Sequence, residues 1–490
     1  MARMISRRDM LRFMGLGGSA ALLGACQPKV VEKIVKETVV VEKEVEKVVE
    51  KVVKEAVEVE KEVTRVVEQV VEKTVVVEKA KTFEGDLSIW FSYGDKSGGG
   101  LGMANLEEAF NEMHPDVTTK MVYGAGQDKW LPALAAGNPP DVLLVFVNHL
   151  TTLAHRGALM DITPFIERDS IDMSVFWPIA LKQTSWKDRY YAIIHHPHAW
   201  VLWYNSVAMK EVGLDPKQTA ESWDDLYEWG MEMSKKDGDD YSQLGYYPIQ
   251  GFWATQHIFG NGGALVSEDG HNCLIESPES EEALDWVAKV VTDVCGGYEN
   301  ISAFLEANPA PTGQKNAYWV WPWGSLGMMY QGNWVTNSIR TQNPEMEWEA
   351  GRYPGGPQNK GNYTVLSGSH MMTIPVGAKR WELGWEFLKL LGSVRGSEAV
   401  MANTEDICGR SDVAKRPDLV AAHLGREKML GIFESANYID SPWHPITMEI
   451  QAEITRMGER FLTGEMPVKQ ALSEAQRRIQ EALDDFWATA

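Results

Sequence analysis

The sequence predicts an α/β protein, and three features point there. The run PPDVLLVFV, ending at Val147, is apolar on both faces, as a strand buried inside a parallel sheet must be. From Phe83 onward strand-like and helix-like stretches alternate, the pattern of a sheet wrapped by helices. Tyr190–Pro216 then joins an aromatic, histidine-rich strand to a short helix and leads into a second α/β set, so it reads as a crossover with a polar face. A chain of 490 residues is too long for one ordinary core and implies two or more domains.

Residues 1–26 begin with Arg3, Arg7, Arg8 and Arg12, pass through a short apolar run and end in small residues up to Cys26. That is the layout of a signal peptide, too short to span a membrane. Ser6-Arg7-Arg8 followed by Asp9, Met10 and Leu11 resembles a twin-arginine signal, which exports folded proteins. Leu23-Gly24-Ala25-Cys26 resembles a lipobox, which makes Cys26 the expected site of lipid attachment. Residues 27–82 form a low-complexity Val/Glu/Lys stalk that offers essentially one apolar residue type and no globular core. Val45, Val52, Val59 and Val66 recur every seven residues, and Val49, Ala56, Val63, Val70 and Val77 follow in the same step. A self-associating coiled coil and a solvated spacer or isolated helix both remain open, because valine is a mediocre helix former. Either version holds the domain at 83–490 away from the membrane.

Within that domain DLSIWFSYG reads as a strand, and Gly98–Gly100 lead into a helix with Met103, Leu106, Phe110 and Met113 on one face. TTKMVYG is a second strand, followed by a helix around Trp130–Ala136 and the buried run already noted. In the crossover, Ala199, Val201 and Trp203 alternate with Trp200, Leu202 and Tyr204; Asn205 caps a helix that Gly213, Asp215 and Pro216 end. Ser222 caps the next helix, with Leu226, Trp229 and Met233 on one stripe. Ser277-Pro278 opens another, with Ala283, Leu284, Val287 and Val291 facing inward. LGMMYQGNWVTNSI reads as strand, turn and helix, and WELGWEFLKLL, HPITMEIQAEI and AQRRIQEALDDF read as amphipathic helices.

The net charge of −22 is uneven: residues 1–28 carry +3 and residues 29–81 carry −1, which leaves −24 on the 409 residues that follow. Such a domain argues against nucleic acid, which needs a basic face. None of the four cysteines has metal-like spacing; Cys273 and Cys295 have the option of pairing, with three buried thiols as the plainer reading. GxSxG, HExxH and Walker motifs are missing, which disfavours an enzyme and implies no cofactor.

The ordered blocks LSIWFSYG, LEEAFNEMHPDV, the AAGNPPDV turn, GALMDIT, YNSVAMKEVGLDP, LGMMYQGNW and VLSGSHMMTIP resemble those of bacterial family 1 extracellular solute-binding proteins, the sugar receptors of ABC importers. In the signature ending GLDP, Ser206 replaces the usual lysine. The resemblance implies a two-lobed periplasmic-binding-protein-like fold, its discontinuous lobes joined by a hinge. Lobe 1 is expected over roughly 83–200 and 365–425, and lobe 2 over roughly 201–364 and 426–490. It further implies a sugar ligand, importer permease subunits as partners and no catalysis. A polyamine, a sugar phosphate or iron as the solute, a glycoside-processing enzyme and a stalked adhesin are the rival readings.

Sugars offer flat C–H faces to aromatic rings and hydroxyls to polar side chains, so the 19 tryptophans suit such a ligand. Helix-stripe rings such as Trp229, Trp286 and Trp385 are assigned to core, whereas Trp253, Trp334 and Trp443 beside Gly, Asn or Pro are ligand candidates. The resemblance implies that Trp334 is at the position that stacks on sugar. Tyr93, Asp95 and Asn148 stand at strand ends, where α/β sheets bind ligands. His196 and His198 fall on one face of the crossover strand and His195 on the other. At most those two converge and no cysteine or carboxylate sits beside them, so hydrogen bonding to solute hydroxyls is expected in preference to a metal site. Where the family's maltose-binding members place an acidic sugar contact, this chain has His198. Ser369 and Arg410 complete the expected ligand contacts.

Overall fold

Local signals in the sequence set most of the elements, and long-range pairing sets the architecture. The computed structural model describes residues 82–490 except 239, 312, 436–437, 440–443 and 490. The signal peptide, Cys26, the stalk and Trp443 lie outside the described residues.

The strands are β1 (Gly85–Phe91), β2 (Val117–Tyr123), β3 (Val142–Phe146), β4 (Ser185–Trp186), β5 (Arg189–Tyr190), β6 (Ala192–Asn205) and β7 (Lys235–Asp237). They continue with β8 (Asp240–Tyr247), β9 (Leu326–Gly332), β10 (Trp348–Gly351), β11 (Tyr353–Pro354), β12 (Tyr363–Thr373) and β13 (Tyr438–Ile439). One curled sheet runs in the order β2-β1-β3-β12-β6-β9-β8-β7, with β10 on β6 and both β11 and β13 on β12; β4 and β5 pair apart from it. At one end β1 is parallel to β2 and β3, and at the other β8 is parallel to β9. The middle of the sheet is antiparallel, β3 to β12 to β6 to β9. The two longest strands, β6 and β12, therefore join two α/β assemblies.

Caps start the helices where the sequence places them. Asn205 accepts from the amides of Val207 and Ala208, Ser222 forms a capping box with Asp225, and Ser277 accepts from Ser280. Gly213 ends the helix Ser206–Glu211 at φ 81°, a conformation glycine adopts without steric cost. The helix Gly98–Met113 buries Met103, Leu106 and Phe110 but leaves Met113, its last residue, 46% exposed. Trp286 is half-buried, tilted against Trp223, whereas Trp229 and Trp385 belong to the core.

The expected polar face of the crossover is not exposed. All 14 residues of β6 are buried, since β12 and β9 cover its edges and packed layers cover both faces. Cys273, Cys295 and Cys408 are free, buried thiols, so Cys273 and Cys295 do not pair. Burial pushes the Cys273 thiol up to about 11 and that of Cys408 to about 12. Among the described residues no helix is long and apolar enough to cross a membrane.

Candidate functional site

The site is built where β6 and β12 pair. Leu366 pairs with Trp200, Gly368 with His198 and His370 with His196; the register then slips so that Met371 meets Ile194. His195 is left as the extra residue of a β-bulge. Residues directly opposite one another share a face of the sheet, which turns His196, His198 and His370 to the same side. One ring nitrogen from each lies within 4.8 Å of the others. Nε2 of His196 and Nδ1 of His370 are 2.9 Å apart, and the Nδ1 atoms of His195 and His196 are in contact. Tyr93, two residues past β1, sets its hydroxyl 3.0 Å from Nδ1 of His370 and in contact with Nε2.

Beyond the imidazoles stands an aromatic wall. Trp334 follows β9 and starts the helix Val335–Gln342. Its ring centroid is 4.9 Å from that of Trp200, edge to face, and 5.5 Å from that of His198. Gly332 makes this possible: a Cβ there would come within 2.0 Å of the Trp334 ring.

Burial governs the charge of the cluster. It holds His196 down at about 3 and nearby His149 at about 4, and it lowers His195, His198 and His370 well below the usual imidazole range. The imidazoles are therefore neutral at pH 7, each carrying one N–H and one lone pair. Both ring nitrogens of His198 and Nε2 of His195 are buried without a hydrogen-bond partner. Unsatisfied buried polar atoms cost about 1–3 kcal/mol each, and their concentration here singles this group out as the candidate site.

The structure brings Tyr93, His196, His198 and Trp334 together, but not every expected contact joins them. Asp95 is exposed in the loop before the helix Gly98–Met113, and Asn148 is half-buried in the first turn of the helix Val147–His155. Alternation along β12 puts Ser369 on the face opposite His370, where its buried hydroxyl has no partner. Trp253 starts the helix Trp253–Gly260 and packs against Gly458 and Phe461, lining a cavity of about 150 Å³. Arg410 is committed locally: its guanidinium donates to the Asp412 carboxylate at 2.7 and 3.0 Å and to the Gly392 carbonyl at 3.2 Å. Of the three neighbouring histidines His196 and His198 converge, as alternation predicts, and the third member, which the sequence does not reveal, is His370, brought opposite His196 by β12. In the sequence Trp200 shows only strand patterning, and its pairing with Leu366 and Gly332 places it beside Trp334.

Residues 93–397, more than half of the chain, match the family model described as bacterial extracellular solute-binding protein. The chain belongs to that family. Among solved structures of similar fold, CpMnBP1 with mannotriose bound superimposes with a TM-score of 0.71 at 22% identity, covering 81% of this chain and 100% of its own. An ABC substrate-binding protein from Listeria monocytogenes in complex with cycloalternan gives 0.70 at 16% identity, covering 82% and 100%. Maltose-bound MalE3 of T. maritima gives 0.68 at 19% identity, again covering 82% and 100%. This solute-binding protein thus has the two-lobed periplasmic-binding-protein-like fold, with β6 and β12 crossing between its ends.

Proposed function

We propose that this protein is a carbohydrate receptor that captures a sugar between two lobes and delivers it to an ABC importer. The observation that carries the reading is the meeting of Trp334, Trp200 and Tyr93 with buried imidazole nitrogens that lack partners. Indole faces suit the apolar sides of a sugar ring, and neutral imidazoles both donate to and accept from hydroxyls. Similar folds bound to mannotriose, cycloalternan and maltose support an oligosaccharide as the solute.

Lobe 1 comprises roughly 83–200 and 365–425 and lobe 2 roughly 201–364 and 426–490, with the hinge in the long strands. His198 and His370 are only 5% and 6% exposed, so solute reaches them when the lobes part. Closure reports binding because the solute prefers the closed arrangement. Tyr93, His196, His198 and Trp334 form the floor, with Asp95 and Asn148 at its margins, while Ser369 on the other face of β12 and Arg410 brace the strand and loop behind it. The receptor is exported through the twin-arginine signal, held to the membrane by lipid on Cys26, and spaced from it by the stalk.

A thermal-shift screen against mono- and oligosaccharides, followed by calorimetry on the hits, tests the central reading. One sugar bound per chain and recovered uncleaved after long incubation is the expected result. Cleavage would identify an enzyme, and no response to the whole panel would remove sugar as the solute. For the anchor, Cys26→Ala is expected to move the protein from the membrane fraction to the soluble one. Equal membrane retention of the variant would eliminate lipidation at Cys26.

A further inference from the structure

The imidazoles on the paired strands β6 and β12 differ from an ordinary sugar-contact set in one respect. Their ring nitrogens face one another, His196 and His370 sharing one hydrogen bond, and no carboxylate, lysine or arginine belongs to the group. His196 Nε2 and His370 Nδ1 face each other at 2.9 Å, and His198 brings two further nitrogens, both buried and unpartnered. Sugar hydroxyls satisfy imidazoles spread along a cleft, whereas nitrogens converging on one point are better satisfied by a single cation that accepts all of their lone pairs.

We infer that His196, His198 and His370 form a binding site for a divalent first-row transition cation of the zinc type. Neutral imidazole is the ligand this class of ion prefers, and hard cations such as calcium and magnesium, which require oxygen, are excluded by the donor set. Three nitrogens held tetrahedrally at 2.0–2.1 Å would stand about 3.4 Å apart. The observed grouping within 4.8 Å therefore needs only small ring rotations to close on an ion.

The surroundings fit as well. The far nitrogen of His370 meets the Tyr93 hydroxyl, and Nδ1 of His196 meets Nδ1 of His195. Partners of this kind fix the orientation of a ligating ring. Two of the histidines come from β6 and the third from the directly paired β12, so backbone hydrogen bonds hold the spacing. Three protein ligands leave a coordination position for water or a solute hydroxyl. The site rests on this geometry and stands whether or not the solute is a sugar.

The test is calorimetric titration of the full-length, untagged, chelator-stripped protein with zinc chloride, without sugar. We expect one ion per chain, and X-ray absorption at the zinc edge showing three imidazole nitrogens at 2.0–2.1 Å. His198→Ala and His370→Ala are each expected to weaken binding about 100-fold or more, judged against the 10–100-fold that outer partners contribute. His271→Ala, in a separate histidine group near Trp487, should leave affinity unchanged. Near-UV circular dichroism of the zinc-free variants establishes that they are folded. Absence of stoichiometric binding by the wild-type protein, a spectrum without imidazole scatterers, or undiminished affinity in folded His198→Ala and His370→Ala variants would each overturn the site.

Discussion

Trp334 owes its position to a neighbour with no side chain. Its ring lies back over Gly332, meets Trp200 edge to face and remains only partly buried, the state expected of a surface that a flat ligand covers. Trp334→Ala is therefore expected to weaken sugar binding by about 1–3 kcal/mol, by analogy with stacking of flat ligands on aromatic rings. Its loss of stability should fall short of the roughly 3–5 kcal/mol typical of a fully buried tryptophan. Gly332→Ala retains the indole but forces it aside, so a comparable loss of affinity should accompany a nearly unchanged melting temperature. Calorimetry and denaturant midpoints on the two variants check both statements, and full affinity in well-folded Gly332→Ala would detach the ring from the site. At this scale the sequence was partly legible. Glycine and asparagine before Trp334 signal a turn, but Arg410 reads as available to a ligand, because the sequence does not show that its fork turns to Asp412, two residues on, and to the Gly392 carbonyl.

Elements were most legible where their cause is local. Asn205 ends β6 and starts the following helix, its Oδ1 accepting from Val207 at 3.1 Å and Ala208 at 3.2 Å, while its Nδ2 donates to the Leu326 carbonyl at 3.4 Å. Asn205→Ala removes the cap and a tie to β9 together, so a destabilisation of about 1–2 kcal/mol is expected from urea midpoints. A variant as stable as wild type would mean that β-sheet packing alone fixes this end of β6. The same strand shows what stays hidden. His196 and His370 are 174 residues apart, and only antiparallel pairing with a one-residue slip at His195 puts their rings face to face. Periodicity gives the face of each strand but not the partner or the register, so His370 read as part of a return strand and the third histidine was missed. A slip of one residue would have turned it to the opposite face.

For the molecule as a whole, burial of neutral histidines at separate places couples the fold to acid. His149 packs beside Trp130, His257 hydrogen-bonds Tyr353 at 2.7 Å, and His444 lies against Phe486. Burial holds each imidazole at about 4, below the roughly 6.5 of the unfolded chain. Above about pH 6.5 both states are neutral and the full stability is present; as the pH falls towards 4, the unfolded chain takes protons first and stability is lost. Asp406 acts in the opposite sense. Burial raises its carboxyl to about 6 against the downward pull of the Asn337 hydrogen bond and of Arg426 and Arg340, so its stabilising contribution is complete in acid and is lost as the pH rises through 6. Among these four groups, three imidazoles against one carboxyl leave the unfolded chain binding roughly two more protons near pH 5, about 2–3 kcal/mol per pH unit, and the cluster imidazoles on β6 and β12, held lower still, add to that slope in the same direction. Urea midpoints of zinc-free protein between pH 7.5 and 4.5 should fall accordingly, and His257→Gln should reduce the slope by about one proton. A flat profile across that interval would mean that these rings gain protons in the folded state as readily as in the unfolded one, and that the packing around them yields to water without global unfolding.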